Sequence, residues 1–280
     1  MKASNSYKVS KQRACQWFGI SRQSYYQARK RQLKRDAEDQ MLIASVNIIR
    51  KRHPRMGGRK LLHKMQCSMT KLEIARGRDA FFDLLRFHNL LVAPKRSRRR
   101  TTRSGLWRCP NLFSELEVTH VNQAWVGDIT YITTEEGFIY LALLTDAYSR
   151  FIVGYDLSSS LAAEGSLRAL ECAFKNASTY NLANLIHHSD HGIQYVSGDY
   201  RDLLQKNGIS SSMGEVGNCY ENALAERMNG ILKDEYALDD LFVNFEHALA
   251  AVHDAIWLYN YDRPHLSLDM AIPADLYILN

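Results

Sequence analysis

The chain has 280 residues, 46% of them hydrophobic and 24% charged, the balance of an ordinary soluble globular protein with room for two or three domains. No apolar run reaches the roughly 18 residues of a membrane span, and the opening Met-Lys-Ala-Ser-Asn-Ser-Tyr-Lys lacks a signal peptide's apolar core, so a cytoplasmic protein without membrane partners is expected. A net charge of +6 conceals a division: residues 1–108 hold 28 Lys/Arg against 6 Asp/Glu, or +22, and residues 109–280 hold 8 against 24, or −16. The first part is an electrostatic footprint for a polyanion, whereas the second would repel one unless cations intervened.

In chain order, residues 8–31 predict a helical pair. Ser10 to Phe18 forms one helix, Gly19-Ile20 a turn, and Ser21 caps a second helix that ends at Arg31. The pattern resembles a helix-turn-helix, and Arg22, Gln23 and Tyr25 on its second helix suit phosphates and base edges. A plain helical hairpin with a solvated basic face fits the pattern equally well. A further helix is expected over 36–52, with Met41, Ile43, Val46 and Ile49 mainly to one side and His53-Pro54 as its stop. Short helices over 59–65 and 80–88 make a second candidate of the same kind. Lys95, Arg96, Arg98, Arg99, Arg100 and Arg103 then crowd a nine-residue stretch that is too charged to pack. It reads as a tether lying along a DNA backbone and contacting phosphates, in preference to a merely solvated interdomain tether.

From Gln123 the pattern changes to short apolar runs rich in β-branched and aromatic residues. Strands are expected at 124–134, 138–146 and 150–157, with a hairpin turn at Glu135-Glu136-Gly137. A helix over 161–178, a strand at 183–188, a helix over 197–207, a strand at 209–213 and a helix over 218–236 follow. Three strands and then alternating helix and strand describe a ribonuclease H-like sheet covered by helices. A last long helix is expected over 245–261.

That order lets three distant acids meet. Asp128 falls in the first strand, Asp190 just past the fourth, and Glu226 on the late helix, where Leu224, Met228, Ile231 and Leu232 form a buried stripe. Asn222, Glu226, Asn229 and Lys233 occupy a different face. Three convergent carboxylates repel one another without metal, yet they are suitable ligands for Mg²⁺ or Mn²⁺. Two such ions, roughly 4 Å apart, serve phosphoryl transfer. The five cysteines are odd in number and never at Cys-x-x-Cys spacing, and His53, His63 and His88 have no such partner, so neither disulfides nor zinc are expected.

Five segments carry a family resemblance: Trp125-Val-Gly-Asp128-Ile-Thr-Tyr131, Thr145-Asp-Ala-Tyr-Ser-Arg150, His188-Ser-Asp190-His-Gly-Ile-Gln-Tyr195, Gly217-Asn-Cys-Tyr-Glu-Asn-Ala-Leu-Ala-Glu226 and Tyr259-Asn-Tyr-Asp-Arg-Pro-His265. Together they resemble the integrase core of OrfB-type transposases of the insertion-sequence-three group, relatives of retroviral integrases. The resemblance covers residues 113–280. It implies an α/β fold with a mixed five-stranded sheet and flanking helices, preceded by small all-α helix-turn-helix modules. The expected divisions are modules at 1–35 and 36–94, a basic linker at 95–112, the core at 113–240, and a C-terminal helix and tail packing on it at 241–280.

By the same resemblance, Asp128, Asp190 and Glu226 are the metal-binding DDE triad, holding two Mg²⁺ or Mn²⁺ ions, and Lys233 touches the DNA end. The implied activity is phosphodiester hydrolysis at an element end, then attack of the freed 3′-hydroxyl on another strand. DNA ends and target are the expected partners, with a homo-oligomer on DNA, nucleoid association, and an upstream-frame OrfA-type protein or its frameshift fusion. His191 and Glu221 depart from the usual pattern without touching the triad, and Gly214, Gly217 and Asn218 suggest a mobile loop before Glu226. A DNA-binding protein without activity and a nuclease acting on RNA:DNA hybrids are the competing readings. The intact triad disfavours the first of these, and the basic front half the second.

Overall fold

A computed structural model describes residues 10–93, 109–214 and 223–278. Lys95, Arg96, Arg98, Arg99, Arg100 and Arg103, and likewise Gly217, Asn218 and Glu221, lie outside the described residues. The chain divides into two compact units, one comprising Met1–Ile49 and Met65–Leu91 and the other Arg50–Lys64 and Val92–Asn280.

Ser10 precedes helix α1 (Lys11–Trp17) in extended backbone and accepts a hydrogen bond from the Arg13 amide at 3.3 Å, as its cap position predicts. Gly19, at φ 65°, supplies the left-handed turn, and Ser21 Oγ accepts from the Ser24 amide at 3.0 Å. Here the structure corrects the sequence reading. The helix expected to end at Arg31 and the one expected to begin at Asp36 are a single helix, α2 (Arg22–Arg52). Gln32-Leu33-Lys34-Arg35 contains no breaker, and side-chain pairs cross the junction, Gln32 to Asp36 at 2.7 Å and Lys34 to Glu38 at 3.8 Å.

Helix α3 (Gly58–Lys71) likewise passes its expected end at Met65, because Gln66 to Thr70 offers no stop and Met69 is buried. Glu73, at φ 55°, turns the chain after it. Helix α4 (Arg78–Phe87) buries Phe81, Leu84 and Leu85, which share one face at helical spacing. In the first unit these join Cys15, Leu42, Val46, Met65, Met69 and Ile74 among the buried apolar residues.

The second unit is built on β1 (Ala124–Thr134), β2 (Gly137–Asp146), β3 (Ile152–Ser158), β4 (Ile186–Ser189) and β5 (Ser210–Met213), in the order β3-β2-β1-β4-β5. The first three strands pair antiparallel, and β4 and β5 pair parallel to β1 and to each other. Alternate residues feed two cores. Trp125, Ala142, Leu144 and Val153 pack with Ala169, Leu170 and Ala173 of α5 (Ala163–Asn176) and Leu204 of α6 (Gly198–Lys206). Ile132, Leu141, Leu143 and Ile152 pack with Met228, Ile231 and Leu232 of α7 (Ala223–Glu235) and Val252 and Tyr259 of α8 (Phe245–Tyr261). This is the expected ribonuclease H-like arrangement, a mixed five-stranded sheet with helices on both faces.

Three local devices hold it. A Cβ on Gly154 would lie 2.3 Å from the Ala169 carbonyl oxygen and 2.6 Å from the Ala173 amide, so α5 rests directly on the β3 backbone. The buried Asp146 carboxylate accepts from the Asn122 amide at 2.7 Å and from the amide and hydroxyl of Ser149 at 2.8 and 2.6 Å. It thereby shapes the turn in which Arg150 takes φ 65°, so β3 starts at Ile152 and not at Arg150. At the sheet edge, Asn260 of α8 gives the backbone of Ile152 both bonds a further strand would offer, accepting at 2.9 Å and donating at 3.0 Å. A short helix, α9 (Pro273–Ile278), escaped the sequence reading; its Tyr277 stacks on Phe151 with ring centroids 4.5 Å apart.

Candidate active site

Asp128 sits near the middle of β1, opposite Leu143 of β2, and faces α7. Its two carboxylate oxygens are separately held. Oδ1 accepts from the Ile129 amide at 2.9 Å, and Oδ2 accepts from Asn229 Nδ2 at 2.7 Å. Burial, and then the negative charges of Asp190 and Glu226, push this carboxyl up to about 7 despite those two bonds. Both distant acids therefore act on Asp128, as the order of strands and helix requires.

Asp190 follows the last residue of β4, where the parallel pairing with β1 has just ended. Its Oδ1 accepts from the Gly192 amide at 2.9 Å, and a Cβ on Gly192 would stand 2.9 Å from that same oxygen. Glycine thus keeps the carboxylate turned back over its own loop. Glu226 lies exposed in the first turn of α7. Among the described residues no group of three or more His, Cys, Asp and Glu stands at metal-holding separation. The triad is coupled through charge and not closed into a finished shell. Its donor set nevertheless fits a hard divalent cation: it consists of carboxylate oxygens, and their repulsion already raises Asp128.

The structure corrects one feature of α7. Asn229 and Lys233 were grouped with Glu226 on a face apart from the buried stripe, yet both are only 8% exposed. That face turns toward β1, where Asn229 reaches Asp128 and the Lys233 ammonium lies 4.2 Å from the centre of the Tyr131 ring. Asn229 was in the right group but had no role; its spacing of three from Glu226 was the available signal.

His188 Nδ1 pairs with Ser212 Oγ at 2.9 Å, and its ring stacks on Phe113 at 4.8 Å. Behind the site, His187 is held neutral by burial, at about 3, and pairs with the Tyr200 hydroxyl at 2.9 Å. Gly127 leaves room for this layer, since a Cβ there would stand 3.1 Å from His187 Nε2 and 3.3 Å from the Tyr195 ring. Among the predicted nucleic-acid contacts of the first unit, Arg22 and Gln23 are exposed on the first turn of α2, and the half-buried Tyr25 meets Tyr26 edge to face.

Fold and site together define an integrase-core protein, and the Integrase core domain family matches residues 118–219, with a second family of the same description matching 207–273. The 31 kDa protein of insertion element IS600 from Shigella sonnei is 35% identical over 265 residues, 93% of this chain and 96% of that one. The transposase InsF of insertion sequence IS3A from Escherichia coli K12 is 37% identical over 145 residues, covering 51% of this chain and 50% of InsF. Among solved structures, the HTLV-2 integrase catalytic core domain in complex with magnesium aligns with 56% of this chain and 97% of its own, at 18% identity and a TM-score of 0.44. The simian T-cell lymphotropic virus intasome aligns at 19% identity over 79% and 74%, with a TM-score of 0.47.

The chain belongs to the IS3-type transposase family of insertion sequences. Among the described residues no helix is long and apolar enough to cross a membrane.

Proposed function

We propose that this chain is the DNA-cutting and DNA-joining enzyme of an insertion sequence, with Asp128, Asp190 and Glu226 as the ligands of Mg²⁺ or Mn²⁺. The observation that carries the reading is the placement of these three acids on β1, just past the end of β4 and on the first turn of α7, with Asn229 of α7 bonded to Asp128, in a chain of this family. When bound, two such ions would activate a water or 3′-hydroxyl and stabilise the leaving oxygen of a phosphodiester. The protein's own part is orientation. Asn229 fixes one Asp128 oxygen, the Ile129 amide fixes the other, and the Gly192 amide turns Asp190. Lys233 stands two turns beyond Glu226 on α7, where its ammonium would meet the phosphate of a DNA end after leaving the Tyr131 ring.

DNA approaches an acidic core only with help. The proposed helpers are Arg22, Gln23 and Tyr25 on the first unit and Lys95, Arg96, Arg98, Arg99, Arg100 and Arg103 of the 95–112 linker, contacting mainly phosphates. The domain divisions expected from the sequence, a homo-oligomer on DNA, an OrfA-type partner or frameshift fusion, and a place on the nucleoid belong to the same proposal. The purified chain, given duplex oligonucleotides from the ends flanking its gene, is expected to cleave and join them with Mg²⁺ or Mn²⁺ and to stop in EDTA. DNA binding without any metal-dependent nicking would replace this reading with that of a DNA-binding protein lacking activity; cleavage confined to RNA:DNA hybrids would replace it with a nuclease.

A further inference from the structure

The C-terminal end of α7 is gripped by a segment far away in sequence. Residues 50–64, the end of α2 and the start of α3, belong to the same compact unit as the core. The Arg55 amide donates to the carbonyl oxygen of Glu235, the last residue of α7, at 3.1 Å, supplying a partner that a helix end otherwise lacks. The Glu235 carboxylate is bound by the buried Lys60 ammonium and by both Arg263 Nε and Nη2, each at 2.9 Å. His53, 1% exposed, places Nδ1 3.2 Å from the Tyr236 hydroxyl and Nε2 2.8 Å from Asp262. Arg55 reaches Asp239 and Asp240 at 3.1 and 3.0 Å, and Lys64 reaches Asp262 at 2.5 Å. Met56 and Leu61, between these polar groups, are fully buried.

We propose that residues 53–64 form a clasp that positions α7 for catalysis, with Lys60 as its principal positioning residue. The inference rests on the reading of Glu226 as a metal ligand. Glu226, Asn229 and Lys233 all ride on α7, whose last residue is the gripped Glu235. A small shift of that end moves all three side chains relative to Asp128, which is anchored separately in the sheet. Two cations and a backbone amide converge on one glutamate, which makes the grip directional in a way that apolar packing against α8 is not.

The test uses the full chain carrying Lys60→Met, which keeps the stem and removes the charge, with Lys60→Arg as the conservative variant. Arg55→Ala, which leaves the backbone bond to Glu235 in place, serves should Lys60→Met not fold. Amide exchange of α7 is expected to quicken in Lys60→Met while exchange of α5 stays as in the parent. Single-turnover joining of element-end DNA should fall by about 100-fold, affinity for that DNA should hold within about twofold, and Lys60→Arg should recover most of the rate. Unchanged exchange in α7, or a joining rate that falls only as far as affinity or folded fraction does, overturns the clasp. A parent chain with no joining activity sinks the proposed function instead, and the exchange comparison then decides the clasp alone.

Discussion

Asp128→Asn is expected to make the metal-free protein more stable at alkaline pH while removing its activity. The folded carboxyl keeps its proton up to about 7, whereas its ordinary value is 3.8. The folded state therefore binds more protons than the unfolded one between those values, and stability contributed by this group is present at low pH and lost as pH rises through about 7. The rise from 3.8 to about 7 corresponds to ~4 kcal/mol at pH 8, an order-of-magnitude figure. The amide carries no charge and escapes this penalty. It also keeps its hydrogen bonds, because Asn229 Oδ1 is buried without a partner and a flip of the Asn229 amide turns that acceptor toward the new donor. In EDTA at pH 8, thermal unfolding of Asp128→Asn should lie on the order of 10 °C above the parent. The difference should shrink toward pH 4, and Mg²⁺ should stabilise the parent but not the variant. A variant less stable than the parent at pH 8 without divalent ions would refute the argument, since burial and carboxylate repulsion of the Asp128 charge would then be no burden on the folded state.

Two further substitutions test the scaffold. Gly154→Ala forces a methyl against the α5 backbone at Ala169 and Ala173, so it should cost about 3 kcal/mol or more, read as a lower urea midpoint at unchanged slope. A neutral result would mean that α5 does not sit on Gly154. Asn260→Ala strips both bonds from the Ile152 backbone at the sheet edge and should cost about 2–4 kcal/mol in the same assay. A loss below about 0.5 kcal/mol would show that water replaces the side chain there.

Much of the core was legible because its signals are local. The β-branched and aromatic run Ala124 to Thr134, the Glu135-Glu136-Gly137 turn and the 3.6-residue spacing of Phe245 to Tyr261 each name their element without reference to the rest. Helix ends were less legible. Charge-rich Gln32 to Arg35 looks like a connection, yet every residue there favours helix, and only the pairs with Asp36 and Glu38 show that α2 continues. The three acids could be read because each sits in a distinctive neighbourhood. What could not be read was partnership across long separations. Nothing near Lys60 announces Glu235, and nothing near Asn260 announces Ile152. The burial of Asn229 and Lys233 could not be read either, because a helical wheel shows which residues share a face but not that β1 lies against it.

The claim at the centre of this account is that Asp128, Asp190 and Glu226 act as one metal-dependent catalytic set. Its most direct test is a Mg²⁺-dependent strand-joining assay on element-end DNA with Asp128→Asn, Asp190→Asn and Glu226→Gln, each confirmed folded and able to bind DNA. Each substitution alone is expected to abolish joining, with combined substitutions losing nothing further. Full joining activity in any one of the three would contradict the assignment.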